Sequence, residues 1–163
     1  MFVITAKAQQ KNVIEKPLSV NTSYTDSLLV EFENSIYTSF YTPKFWSKNT
    51  LPTFTVLKID IDKNGNVTGI RFSDSADTAF VNAFLQRPKF HNDKSTLEKY
   101  AKAKSYSDCS ILIPVSYEPS FGSNYSFLYR NMDSLMKFDS QYFIGKAIIL
   151  APIQIRVLSE HNM

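Results

Sequence analysis

Leu57-Lys-Ile-Asp-Ile-Asp-Lys-Asn-Gly-Asn-Val-Thr-Gly-Ile-Arg-Phe72 is the stretch on which the fold turns. Its first part alternates Leu57, Ile59 and Ile61 with Lys58, Asp60 and Asp62, the pattern of a strand with one face buried. Alternation resumes at Thr68, Ile70 and Phe72. Between the two runs stands Asn64-Gly65, a dipeptide that tolerates positive φ at both central positions of a type I′ turn. The stretch predicts a β-hairpin. Asp60-x-Asp62-x-Asn64-Gly65 also matches the opening of an EF-hand calcium loop, but the closing bidentate Glu of such a loop falls on Arg71, and the flanks are strands rather than helices. The motif reads as a turn, not a metal site.

Downstream the period changes. Asp74, Ser75 and Asp77 are capping residues, and Phe80, Val81, Phe84 and Leu85 make an amphipathic stripe that Pro88 ends at about Arg87. Residues 89–108 are polar, and Arg87, Lys89, Lys94, Lys99, Lys102 and Lys104 outweigh Asp93 and Glu98. With few aromatics for base stacking, this segment reads as a solvated loop or helix face, and no nucleic-acid partner is expected. A third strand follows at Ile111, Ile113, Val115 and Tyr117, and Pro114 marks it as an edge strand or a bulged one. Phe127, Leu128, Met132, Leu135 and Met136 predict another helix after Ser123 or Asn124. The last element, 147–158, is β-rich, broken at Pro152, with Ile153, Ile155 and Val157 alternating.

Upstream, Leu28, Leu29, Phe32 and Ile36 fall on one helical face, with Thr25 or Asp26 as cap and Pro43 as the limit. Phe40, Tyr41, Phe45 and Trp46 form an aromatic connector before Pro52, read as the seal on one end of the core. The order α, ββ, α, β, α, β predicts an α+β fold, with helices packed on a largely antiparallel sheet.

The 163 residues suit a single domain over 25–163 with a core of its own. Aromatic residues make up 14% of the chain, enough to supply much of that core. A net charge of +3 makes no demand for a polyanionic partner. The lone Cys109 excludes an internal disulfide and a multi-cysteine metal site, and His91 and His161 show no ligand spacing. No apolar run reaches the roughly 18 to 20 residues of a membrane span. Residues 1–8 contain Phe2-Val3-Ile4-Thr5 followed by Ala6-Lys7-Ala8, the small-residue pattern of a signal-peptidase site, with polar Gln9-Gln10-Lys11 beyond it. They read as the remnant of a signal peptide, against the alternative of an ordinary first strand, and 9–24 as a mobile lead-in. No GxSxG, phosphate loop or dinucleotide fingerprint appears, Cys109 has no neighbouring histidine, and no cofactor is implied.

The run Asp60-Ile-Asp-Lys-Asn-Gly-Asn-Val-Thr-Gly-Ile-Arg-Phe-Ser-Asp-Ser75 resembles the hairpin of the TonB C-terminal domain family. Asp77-Thr-Ala-Phe-Val-Asn-Ala-Phe-Leu85 is similar to the family's helix, Lys89-Phe90 to its basic-aromatic pair, and Ile111-Leu-Ile-Pro-Val-Ser-Tyr117 to its closing strand. The resemblance spans roughly 54–117 and departs at Leu51-Pro52, where the family has Tyr-Pro, and at Ser75-Ala76, where it has Ser-Gly. It implies the fold and a periplasmic or secreted location. It also implies a partner in the cell envelope, an outer-membrane transporter included.

The expected function is therefore non-enzymatic binding of a protein or peptide by strand addition. The edge chosen is 153–158, through Ile153, Ile155, Arg156 and Val157, with Arg156 orienting an acidic partner. A second copy of the chain, forming a homodimer, is a further occupant of the same edge. The alternative is a carrier holding an apolar or glycan ligand in an aromatic-lined cavity at Phe45 and Trp46.

Overall fold

The computed structural model describes residues 24–40, 52–85, 90–118 and 130–156. In chain order the elements are α1 (Tyr24–Phe40), β1 (Thr53–Ile61), β2 (Val67–Phe72), α2 (Thr78–Leu85), α3 (Phe90–Ala103), β3 (Cys109–Glu118), α4 (Arg130–Ser134), β4 (Lys137–Phe138), β5 (Gln141–Tyr142), β6 (Ala147–Ile149) and β7 (Ile153–Arg156). The fold is α+β. Its main sheet runs β2-β1-β3, and both β6 and β7 lie on the far side of β3. β1 is antiparallel to β2 and to β3, whereas β6 and β7 run parallel to β3.

Alternation along the strands divides the side chains between two faces. On one face Leu57, Ile59, Ile111, Ile113, Val115 and Tyr117 are buried beneath α1, α2 and α3. Leu28, Leu29, Phe32 and Ile36 of α1 are buried there, as their spacing predicts. Phe80 and Phe84 of α2 meet Phe72 edge-on, with ring centroids 5.2 Å and 4.7 Å away. Asp77 caps α2, its carboxylate accepting the Phe80 N–H at 2.8 Å.

The opposite face buries a smaller cluster, Val56, Leu112 and Phe138, with Leu135, Phe143 and Ala147 packed against it. The segment from α4 to β5 covers this patch, so the sheet is apolar on both sides at its centre. Of the helix expected from Phe127 to Met136, Phe127 and Leu128 lie outside the described residues; within them, α4 ends at Ser134. Of its described stripe residues, Met132 and Met136 are exposed and Leu135 turns inward. The chain leaves the helix because a β4–β5 hairpin must deliver Phe138 and Phe143 to the sheet. Its turn residues Asp139 and Ser140 both have positive φ, 54° and 64°, and the Asp74 carboxylate accepts both their N–H groups at 3.0 Å and 2.7 Å.

The segment 90–103, expected to be a polar loop or helix face, is a helix whose inner stripe is Asp93, Thr96, Leu97, Tyr100 and Ala101. Lys94, Lys99 and Lys102 lie on its exposed side.

The hairpin stands where the alternation puts it, but its turn differs. Five residues, 62–66, separate the strands, and only Gly65 has positive φ, at 77°. The Asp62 carboxylate replaces the tight turn by accepting the N–H groups of Asn64 and Asn66, both at 2.8 Å. These bonds, the Asn66 N–H foremost, hold the Asp62 carboxyl below its ordinary range. A Cβ on Gly65 would lie 2.9 Å from Lys102 Cγ, in addition to its left-handed φ. Gly65→Val is therefore expected to cost about 1 kcal/mol or more in chemical denaturation. Calcium should leave the wild-type melting temperature unchanged, since Asp62 already serves the turn; a rise of several degrees would contradict this reading.

Candidate functional site

The backbone hydrogen bonds of β3 determine which main-chain groups the sheet leaves open. Ser110 N–H donates to the Lys146 carbonyl at 2.9 Å, and Leu150 N–H donates to the Leu112 carbonyl at 3.0 Å. Even-numbered residues of β3 thus face β6 and β7, and odd-numbered ones face β1. In a parallel ladder, a residue facing its neighbour bonds to the two residues flanking its register partner. Ser116 is in register with Gln154, so its bonds run to Ile153 and Ile155. Gln154 consequently turns its N–H and C=O away from the sheet. The same logic, from Ser110↔Ala147 and Leu112↔Ile149, turns Ala147 and Ile149 outward. These three residues have no main-chain partner on that side among the described residues.

Pro114 explains the break in this margin. It falls between the Leu112↔Ile149 and Val115↔Ile153 pairs, where the register slips by one residue and the partner strand contains Pro152. By strand alternation its donor-less nitrogen faces that gap. Pro114 marks β3 as an edge strand or a bulged one; β3 is interior, paired with β1 along Cys109–Tyr117 and with β6 and β7 on the other side, and the irregularity is the one-residue slip of that second pairing. The missing donor lies where no strand asks for it.

At the other end of the sheet, β2 pairs with β1 alone, but α3 closes on it: Val67 N–H donates to Glu98 Oε1 at 3.2 Å. Among the described residues the β6–β7 margin is the more open of the two.

The structure places the sequence-derived site residues unequally. Ile153 and Ile155 are each 1% exposed, with side chains in the core and main-chain groups turned to β3. Arg156 is in register with Glu118 along the ladder. Val157, Phe45 and Trp46 lie outside the described residues, as do the signal remnant and the lead-in. The β-rich reading of 147–158 covers both β6 and β7, but it singled out no residue of β6 or of the loop before it. Ile144 is 93% exposed and Ile149 43%, with the exposed Lys146 between them. The run Ala147-Ile-Ile-Leu150 is apolar at every position, so alternation has nothing to distinguish an inner from an outer residue.

The groups with reactive chemistry have structural partners. Burial, and then the Asp108 carboxylate, push the half-buried Cys109 thiol above its ordinary value, which disfavours the thiolate. Burial and Asp77 push the Tyr117 hydroxyl up to about 12. On the outer face Asp60 accepts a 2.7 Å bond from Ser110 Oγ and pairs with Lys58 and Arg71, and Arg71 reaches on to Asp139. This net ties three strands to the β4–β5 turn. Among the described residues no group of three or more His, Cys, Asp or Glu is placed to hold a metal ion, and no helix is long and apolar enough to cross a membrane.

Compared with family models, with curated proteins and with solved structures, the chain finds no match.

Proposed function

We propose that this chain is a non-enzymatic binding module of the cell envelope, periplasmic or secreted, that takes up an extended protein or peptide partner as an added strand on the β6–β7 margin. The observation that carries this reading is the set of outward main-chain groups at Ala147, Ile149 and Gln154, without a partner among the described residues. The reading takes its envelope location from the TonB-like resemblance of 54–117, which does not account for α3 between the helix and the closing strand. Export is supported by Ala6-Lys7-Ala8 alone.

Gln154→Pro is the discriminating variant. It deletes an outward donor and leaves the Ile153 and Ile155 bonds to β3 in place, and proline is tolerated on edge strands. Ile155→Pro would instead break the ladder to β3 and confound binding with unfolding. The expected result is that Gln154→Pro keeps the wild-type circular dichroism spectrum and loses the envelope proteins that co-purify with the wild type. Gln154→Ala, which keeps the N–H, should retain them. Equal retention by the folded proline variant would sink strand addition at β7.

A further inference from the structure

The β6 half of the margin carries an exposed cation and two exposed apolar side chains. Lys146 is exposed and forms no ion pair among the described residues. It directly precedes the outward positions Ala147 and Ile149. Ile144 is 93% exposed on one side of it and Ile149 43% exposed on the other. Within 141–156 the charged residues are Lys146 and Arg156, with no carboxylate. Cys109 and Ser110, beside Lys146 on β3, carry no carboxylate, and Asp108, next to Cys109, forms no ion pair with Lys146.

We infer that the segment added at this margin is an extended peptide with acidic side chains interleaved between apolar ones, seated on β6. The inference rests on the strand addition proposed above. A lysine on an open edge disfavours an incoming basic strand, and so protects the edge from indiscriminate pairing. A carboxylate on the incoming strand turns that cost into an attraction, which is selection by repulsion of the wrong partner together with attraction of the right one. The apolar residues of the added strand cover Ile149 and Ile144, both exposed. A second copy of the chain fits less well, because its own margin brings another Lys146 and no carboxylate within 141–156.

The test uses the full chain labelled with ¹⁵N and two capped synthetic peptides, acetyl-Thr-Val-Glu-Val-Glu-Val-Thr-amide and its counterpart with Lys at both Glu positions. The acidic peptide should shift the Ala147 and Ile149 amides saturably, slow their hydrogen exchange, and bind at least about tenfold more tightly than the basic one. Lys146→Glu, a surface change, should reverse that preference. Equal binding of both peptides at these amides would overturn the acidic assignment and leave strand addition standing. Acidic binding without protection of Ala147 and Ile149, or no binding by either peptide, would overturn both. Protection that rises with protein concentration in the absence of peptide would assign the margin to a second copy instead.

Discussion

Phe80→Ala is expected to lower the stability of the chain by about 3 to 5 kcal/mol, the range for deleting a fully buried aromatic ring. Phe80 is 1% exposed. Its ring lies 5.2 Å from Phe72 at 70° and 6.1 Å from Tyr117, so one side chain joins α2 to β2 and to β3. The edge-on contact adds to the area buried. The walls that Phe72 and Tyr117 supply belong to paired strands, which resist collapse into the cavity. Leu85→Ala on the same helix is the control: Leu85 is 43% exposed, and its loss should cost about 0.5 kcal/mol or less. Urea denaturation of the two variants checks this, and a cost for Phe80→Ala no larger than that of the control would contradict the packing described.

Ser73→Ala is expected to cost about 2 to 3 kcal/mol, far more than its size suggests, because removing one buried oxygen strips partners from several groups. Ser73 is 2% exposed, and its Oγ accepts the Val56 N–H at 3.1 Å. The same oxygen is hydrogen-bonded to Thr55 Oγ1 and to Ser75 Oγ, each at 2.9 Å. It completes the β1–β2 ladder where β2 ends, beside the Ser73 N–H that donates to the Val56 carbonyl at 2.8 Å. Without it the Val56 N–H and the Thr55 and Ser75 hydroxyls lose a partner away from water. Faster hydrogen exchange at the Val56 amide should accompany the loss of stability. A stability change below about 0.5 kcal/mol would show that water replaces the oxygen.

The parts of the fold legible in the sequence are those where a single physical rule acts alone. The β1–β2 pair shows because its inner and outer residues differ, Leu57, Ile59 and Ile61 against Lys58 and Asp60. α1 and α2 show because their buried residues are apolar and regularly spaced. α3 is hidden because its buried stripe includes Asp93 and Thr96, which look like surface residues until tertiary contacts bury them. The turn at 62–66 was misjudged because a side chain, Asp62, does what the backbone of a tighter turn would do. The positive-φ pair that a type I′ reading assigned to Asn64-Gly65 occurs instead at Asp139-Ser140, without glycine, under the clamp of Asp74. β4 and β5 are two residues each, too short for any period. At the open margin the alternation of Ile153 and Ile155 was readable, but parallel pairing and the outward turn of Ala147, Ile149 and Gln154 depend on a neighbour remote in sequence.

The position of β3 also governs the order in which the chain becomes complete. Its partners in β1 lie some fifty positions earlier, as in Ile59↔Ile111 and Asp60↔Ser110, so the central pairing waits for a large loop to close. Its other flank is filled only by 147–156, in parallel, after the chain has crossed the outer face through α4, β4 and β5. During synthesis the polar backbone of Ser110, Leu112 and Ser116 is therefore left bare once β3 emerges, until β6 and β7 arrive to cover it. In that interval the nascent chain presents an interior strand as a raw edge, flanked by the apolar side chains of both faces, and this is the stage most open to association between neighbouring unfinished copies.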